Sequence, residues 1–289
     1  MNFPADGSSG LDTVGRRGAL SYEFERAGPR TVLTRSSCKS PLHHFPPSYL
    51  DDSGCAYTWL VNPSGGLVGG DHVSVEAQLH AGTHVVMTSP SANRVYRSLS
   101  GPAVQEVRLL VGPEARLEWL PEVTIPFAGS RLRQSIHVEL APGATVVLWD
   151  AIASGRVAMR ERWAFAALEN EICIRTALGG SVVERYCLVP GRLSESVGLV
   201  GSWDYVASLF VISDAVDDDV WTRLDKALAA LLEQRPGLVL GAVSTPAAPG
   251  LAAKFVARSA PDLTEMLEAT WGVVREGLWN LPVPNLRRY

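Results

Sequence analysis

The segment Val61 to Asp71 reads VNPSGGLVGGD, with four glycines in six residues. Backbone amides in such a run can cradle a phosphate, but the pattern is neither G-x-G-x-x-G nor G-x-x-x-x-G-K-[ST], and it leads into a strand-like stretch instead of a helix N-terminus. It reads as a tight double turn that only glycine tolerates. Asp71 leaves that turn in a fixed orientation, able to cap it or to face a channel. The histidines His43 and His44 stand in PLHHFPP. Adjacent residues of an extended chain point to opposite faces, so the two rings cannot readily share a metal and are expected at a surface or interface. Cys38, Cys55, Cys173 and Cys187 show no C-x-x-C spacing, which argues against a structural zinc site or a disulfide framework. Each is expected to be a reduced, mostly buried thiol. G-x-S-x-G and H-E-x-x-H are both missing.

The elements that position these residues follow from periodicity. From Leu20 to about Arg185 apolar and polar residues alternate. In VSVEAQL, Val73, Val75, Ala77 and Leu79 share one face and Ser74, Glu76 and Gln78 the other, as in a half-buried strand. Four segments repeat a strand, glycine turn, strand plan: VSVEAQLHAGTHVVMTS, QEVRLLVGPEARLEWLP, SIHVELAPGATVVLWDA and EICIRTALGGSVVERYC. Their glycines Gly82, Gly112, Gly143 and Gly180 lie 30 to 37 residues apart. Such spacing predicts stacked repeats sharing one core, with an ordinary antiparallel sandwich as the alternative. Two amphipathic helices close the chain. One is expected near 217–235 behind Asp217 to Asp219, the other near 262–280 with Asp262 as its cap. The expectation is a mainly β, stacked-strand (β-helix-like) scaffold with two α-helices in the C-terminal third. A flexible tail over 1–17 precedes a single domain over 18–289.

Composition narrows the function. The 289 residues carry a net charge of −4 with 46% apolar and 19% charged residues, which offers no basic field for nucleic acid. Only Lys39, Lys226 and Lys254 are lysines; the other basic residues are arginine. No secretory pattern opens the chain and no run of about 18 apolar residues occurs, so a cytoplasmic protein is expected.

Five blocks then resemble one family in order. NPSGGLVGGD is similar to the glycine signature of the UreD (UreH) urease accessory proteins. TSPSANRVYRS (Thr88 to Ser98), LEWLPEVTIPFAGSR (Leu117 to Arg131), LWDAIASGRVAMRERW (Leu148 to Trp163) and VERYCL (Val183 to Leu188) resemble later family blocks over about half the chain. The resemblance implies a non-enzymatic, all-β scaffold with two helices. It implies a complex with UreF and the GTPase UreG on apo-urease, dimeric as a whole, and an internal tunnel through which nickel(II) passes in transit without being a tightly bound cofactor. Carried over by motif, the candidate tunnel residues are Asp71, Ser89, Asp150 and Glu184, with Glu122 beside them. Oxygen donors of this kind suit a borderline cation that must be released again. Counting seven residues from each turn glycine makes Ser89 and Asp150 equivalent with Trp119 between them, whereas Glu184 has the opposite parity and should face away unless a bulge intervenes. His72, beside Asp71, is a further possible ligand. The chain departs from the family in SPSANRVY, which lacks the usual glycine and lysine. Alternatives are a purely structural β-rich adaptor and a β-solenoid polysaccharide hydrolase or lyase using Asp150 with Glu122. With apolar surface reserved for partners, the chain is expected to be poorly soluble without UreF.

Overall fold

The computed structural model describes residues 17–99, 101–190 and 201–286. The tail expected over 1–17 lies outside these except for Arg17, which already opens the first strand. That first pair is β1 (Arg17–Ala27) and β2 (Arg30–Lys39), followed by the short β3 (Ala56–Trp59). Three coils then follow. The first is β4 (His72–Leu79), β5 (His84–Thr88) and β6 (Asn93–Val95). The second is β7 (Ala103–Val111), β8 (Arg116–Leu120) and β9 (Thr124–Pro126). The third is β10 (Arg131–Leu140) and β11 (Thr145–Ala153). The chain ends with β12 (Ala167–Arg175), β13 (Ser181–Leu188), β14 (Tyr205–Ser213), α1 (Asp218–Glu233), β15 (Val239–Ser244), β16 (Gly250–Ala257) and α2 (Ala260–Trp279).

Each coil contributes one strand to each of two facing sheets. The first sheet has the order β13-β12-β10-β7-β4-β1-β2 and the second β15-β16-β14-β11-β8-β5-β3, with β6 and β9 attached at its side. The strands from β1 through β12 in the first sheet, and β3 through β11 in the second, run parallel. Antiparallel strands finish both sheets. Stacking of repeats, and not a meander of hairpins, therefore builds the core, because parallel neighbours need a crossover that the opposite sheet supplies.

The corners correct the turn assignment. Three turns, 80–83, 112–115 and 141–144, close with bonds from Thr83, Ala115 and Ala144 N–H to the carbonyls of His80, Gly112 and Ala141. Their third residues carry positive φ: Gly82 at 67°, Glu114 at 56° and Gly143 at 74°. Gly112 is the first residue of its turn, and it is glycine because a Cβ there would lie 2.5 Å from the Leu79 carbonyl. Glu114 thus sits where its two equivalents are glycine. Glu114→Gly is expected to raise stability by about 0.5–1 kcal/mol, the left-handed strain outweighing the added unfolded-state entropy. A urea midpoint that fell instead would show that the side chain of Glu114 contributes more than its backbone costs. The fourth glycine unit is not a corner at all. β12 and β13 form an antiparallel hairpin within the first sheet, and positive φ falls on Gly179, not Gly180.

Two cores result. Leu20, Phe24, Val107, Leu117, Ile136, Leu148 and Ile172 fill the space between the sheets. The other face of the second sheet packs Val147, Trp149, Leu209 and Phe255 against Trp221, Leu228, Met266 and Trp271 of the helices. The helices start close to expectation, but α2 is capped by Ser259, whose oxygen accepts from the Asp262 N–H; Asp262 is the third residue of the helix and its carboxylate accepts from the Ser259 hydroxyl, with Pro261 in the first turn. All four cysteines are free, and Cys38 and Cys187 are exposed, contrary to the expectation of burial. Both lie at sheet edges, where the outward positions meet solvent. Among the described residues no helix is long and apolar enough to cross a membrane.

Candidate functional site

The glycine loop closes on itself through side chains. Asn62 Oδ1 accepts from Ser64 N–H at 3.1 Å and its Nδ2 donates to the Gly66 carbonyl at 3.0 Å. Leu67 bridges Val95, its N–H donating to the Arg94 carbonyl and its carbonyl accepting from the Tyr96 N–H, which draws the loop so tightly onto β6 that a Cβ on Gly66 would lie 2.3 Å from the Arg94 carbonyl. Asp71 completes the loop: its Oδ2 accepts from Val68 N–H at 2.9 Å, and the residue is buried. Of the two roles open to it, the turn cap is the one its contacts display. His72 points to the other face and meets Glu106 at 3.0 Å, so it does not join Asp71.

Beneath this loop lies a cavity of about 170 Å³ between the sheets. Its walls include Asn62, Gly65 and Gly66 at one end, the apolar Leu20, Leu60 and Val75, and the polar Ser89, Asn93, Gln105, Glu122, Gln134 and Asp150. Three of the five candidate residues, Ser89, Glu122 and Asp150, therefore line one space, and the Ser89 hydroxyl accepts from Glu122 N–H at 2.8 Å. Asp71 is not on its wall. Trp119 is on the wall, and its indole N–H has no protein acceptor. Carrying the β5–β8 and β8–β11 registers past their last pairs puts Pro121, not Trp119, between Ser89 and Asp150; Trp119 pairs with Met87 and Leu148. The two-residue offset arises because Gly112 opens its turn whereas Gly82 and Gly143 stand third in theirs.

The cavity is one end of a polar seam. In the first sheet, Gln105, Gln134, Asn170 and Tyr186 are successive partners across β7, β10, β12 and β13. Facing them in the second sheet, Asp150, Ser208 and Lys254 are partners across β11, β14 and β16. Hydrogen bonds run along the seam. Asn93 Nδ2 donates to Gln105 Oε1 at 3.1 Å and Gln105 Nε2 to Gln134 Oε1 at 3.3 Å. Gln134 Nε2 and Asn170 Nδ2 donate to the two oxygens of Asp150 at 3.0 and 2.9 Å, and Asn170 Nδ2 also reaches the Tyr186 hydroxyl at 2.9 Å. Burial pushes the Asp150 carboxyl up to about 6; the Gln134 bond pulls it down, and the charge of Glu184 adds to the rise. Burial likewise drives the Tyr186 hydroxyl well above its ordinary value.

Glu184 faces this interior, not the opposite surface. Its unit is the hairpin that stays in the first sheet, so the parity that would have turned it outward after a corner turns it inward. Its Oε1 accepts from the Ser208 hydroxyl at 2.8 Å. Of the residues that motif reading missed, Gln105, Gln134, Asn170 and Tyr186, the first three carried a legible signal. Gln105, Gln134 and Asn170 each interrupt an otherwise apolar parity, as Gln134 does among Leu132, Ile136 and Val138, whereas Tyr186 shares its parity with Glu184 and brings only a hydroxyl to the seam. Polar groups buried between sheets are retained only when paired, and these pair with one another.

A second buried polar cluster lies on the helix side. Glu118 contacts His84 Nε2 at 2.7 Å, Arg275 Nη1 at 3.0 Å and the Trp271 indole. Arg275 Nη2 reaches Asp51 at 3.2 Å and Tyr57 at 3.1 Å. Cys55, His84 and Glu118 have the spacing of a metal site. However, both Glu118 oxygens already hold donors, a guanidinium stands beside them, and burial with the Glu118 charge keeps the Cys55 thiol protonated. The cluster fastens α2 to the sheet.

A two-sheet stack of β-coils with a hydrogen-bonded polar seam between its sheets and two helices packed on its outer face places the chain in the class of β-solenoid-like proteins. The sequence model of the family described as UreD urease accessory protein matches residues 16–288, and the chain belongs to that family. It is 36% identical over 281 residues to the urease accessory protein UreD of Deinococcus radiodurans, covering 96% of this chain and 97% of that protein. It is 31% identical to UreD of Cupriavidus pinatubonensis (93% and 92% covered) and 32% identical to UreD 2 of Streptomyces griseus (94% and 93%). The chain is accordingly an accessory protein of urease maturation and not an enzyme, which removes the polysaccharide hydrolase alternative.

Proposed function

We propose that this chain, joined in the cytoplasm to UreF and UreG on apo-urease, hands nickel(II) to the urease metallocentre along the polar seam between its two sheets. The observation that carries this reading is the file of amide, hydroxyl and carboxylate groups from Asn93 to Asp150 and Glu184, enclosed by apolar layers. Oxygen donors of moderate strength bind a divalent ion without retaining it, and the absence of cysteine from the seam's hydrogen-bonded file avoids a soft trap. The free indole N–H of Trp119 supplies a donor to oxygens carried with the ion. Ser89 and Glu122 stand nearest the glycine loop, Asp150 at the centre, Glu184 beyond it; Asp71 serves by shaping the loop.

The test is urease activation in a host carrying the complete set of urease genes. Asp150→Asn is expected to lower activation roughly tenfold or more, the range seen when groups around a metal path are removed. Co-purification with UreF, UreG and apo-urease should be retained. Glu169→Gln, on the exposed outer face beside Arg133, should activate as the wild type does. Full activation by Asp150→Asn would sink the seam as a nickel path and leave the purely structural adaptor.

A further inference from the structure

We propose that Lys254 is a built-in counter-ion that occupies the cation position at Glu184 and has to be displaced before a divalent ion can be held there; this rests on the seam reading above. The Glu184 side chain is 8% exposed, and with one oxygen on Ser208 its other oxygen meets the Lys254 ammonium, whose side chain is 61% exposed. Lys254 follows Asp150 and Ser208 in the same cross-strand row, so the seam reaches solvent at this ammonium. The next partner in the row, Ala242 on the edge strand β15, carries no charge and is exposed.

A carboxylate enclosed between apolar layers is costly without a cation beside it. Lysine provides it in a form that another cation can replace. An ammonium is a compact point charge on a flexible stem, whereas a guanidinium would lock the carboxylate with two parallel bonds. The choice stands out in a chain with three lysines among 26 basic residues. The Glu184 and Ser208 oxygens that Lys254 closes off are of the hard type that divalent cations accept. The geometry makes Lys254 a plug at the solvent end: its ammonium occupies the open Glu184 oxygen until a divalent ion displaces it.

The test is calorimetric titration of the full chain with Ni²⁺ alone. Lys254→Met is expected to tighten binding by roughly fivefold, the scale of one partly exposed ion pair. Lys254→Arg should bind no more tightly than wild type. Adding Glu184→Gln to Lys254→Met should erase the gain. If Lys254→Met matches wild type while Asp150→Asn still weakens binding, the plug is overturned and the seam stands. If wild type, Lys254→Met and Asp150→Asn all fail to bind Ni²⁺, the seam falls and the plug with it.

Discussion

Arg275→Met is expected to destabilise the chain by about 3–5 kcal/mol, the cost of leaving a buried carboxylate without its partner. The Arg275 side chain is fully buried near the end of α2, and so is Glu118 on β8. Burial works against the guanidinium charge, but the charge of Glu118 and the contact with Tyr57 more than offset it and raise its pKa. The same guanidinium lies 5.2 Å from the Trp271 ring centre, so the substitution also removes a desolvated cation–π contact. Glu118 would retain His84 and Trp271 but lose the guanidinium. Removing both partners together, as Glu118→Leu with Arg275→Met, should cost less than the sum of the two single changes, because no orphaned charge remains. Urea unfolding of the four species measures the coupling. A loss below about 1 kcal/mol for Arg275→Met would mean that α2 is held by its apolar face alone.

Asp150→Asn should have the opposite effect on stability while damaging function. The Asp150 carboxyl titrates at about 6 in the folded chain against 3.8 ordinarily, chiefly because burial penalises its charge. Between those values the folded state holds a proton that the unfolded state has released. The stability tied to neutral Asp150 is therefore fully present below about pH 4 and lost as pH rises through about 6. A shift of that size corresponds to about 3 kcal/mol of penalty at pH 8. Asparagine removes the charge but must reorient one of the amides of Gln134 or Asn170, so a net gain of about 1–2 kcal/mol is expected at pH 8. At pH 4 the gain should vanish. Urea midpoints of both proteins from pH 4 to 8 test this; a difference that stays constant across that range would show that Asp150 does not titrate there. A more stable variant that no longer activates urease would identify the carboxylate as kept for function at the expense of the fold.

The arrangement explains why a scaffold should tolerate such a group. The two sheets alone could bury a continuous apolar interior, as they do around Val107, Leu109, Val138 and Leu148. Instead three neighbouring strands, β7, β10 and β12, each give up one inward apolar position, these positions coincide across the sheet, and Tyr186 on β13 extends the row. A single polar substitution at any of them would leave a buried group unpaired. Set side by side, they satisfy one another at about the 5 Å spacing of adjacent strands.

Much of this was written locally along the chain. Alternation in VSVEAQL and its relatives makes strands because Cβ atoms alternate across a pleat, and the run from Val61 to Asp71 can only be a turn because side chains do not fit its backbone. The helices announced themselves by an apolar stripe behind an acidic start, although the cap of α2 is Ser259 and not Asp262, and the five motif blocks by residue identity. The meeting of Gln105, Gln134 and Asn170, some thirty residues apart, had no local mark beyond a polar residue on an apolar parity. Their juxtaposition comes from parallel register, which is a property of the stack. Likewise nothing near Glu184 distinguishes a corner from a hairpin. Which sheet β13 joins is settled by what the whole core must cover, and that choice turned Glu184 inward toward Asp150, Ser208 and Lys254. Arg275 and Glu118, 157 residues apart, found each other for the same reason: side-chain direction is local, but the neighbour it meets is decided by packing.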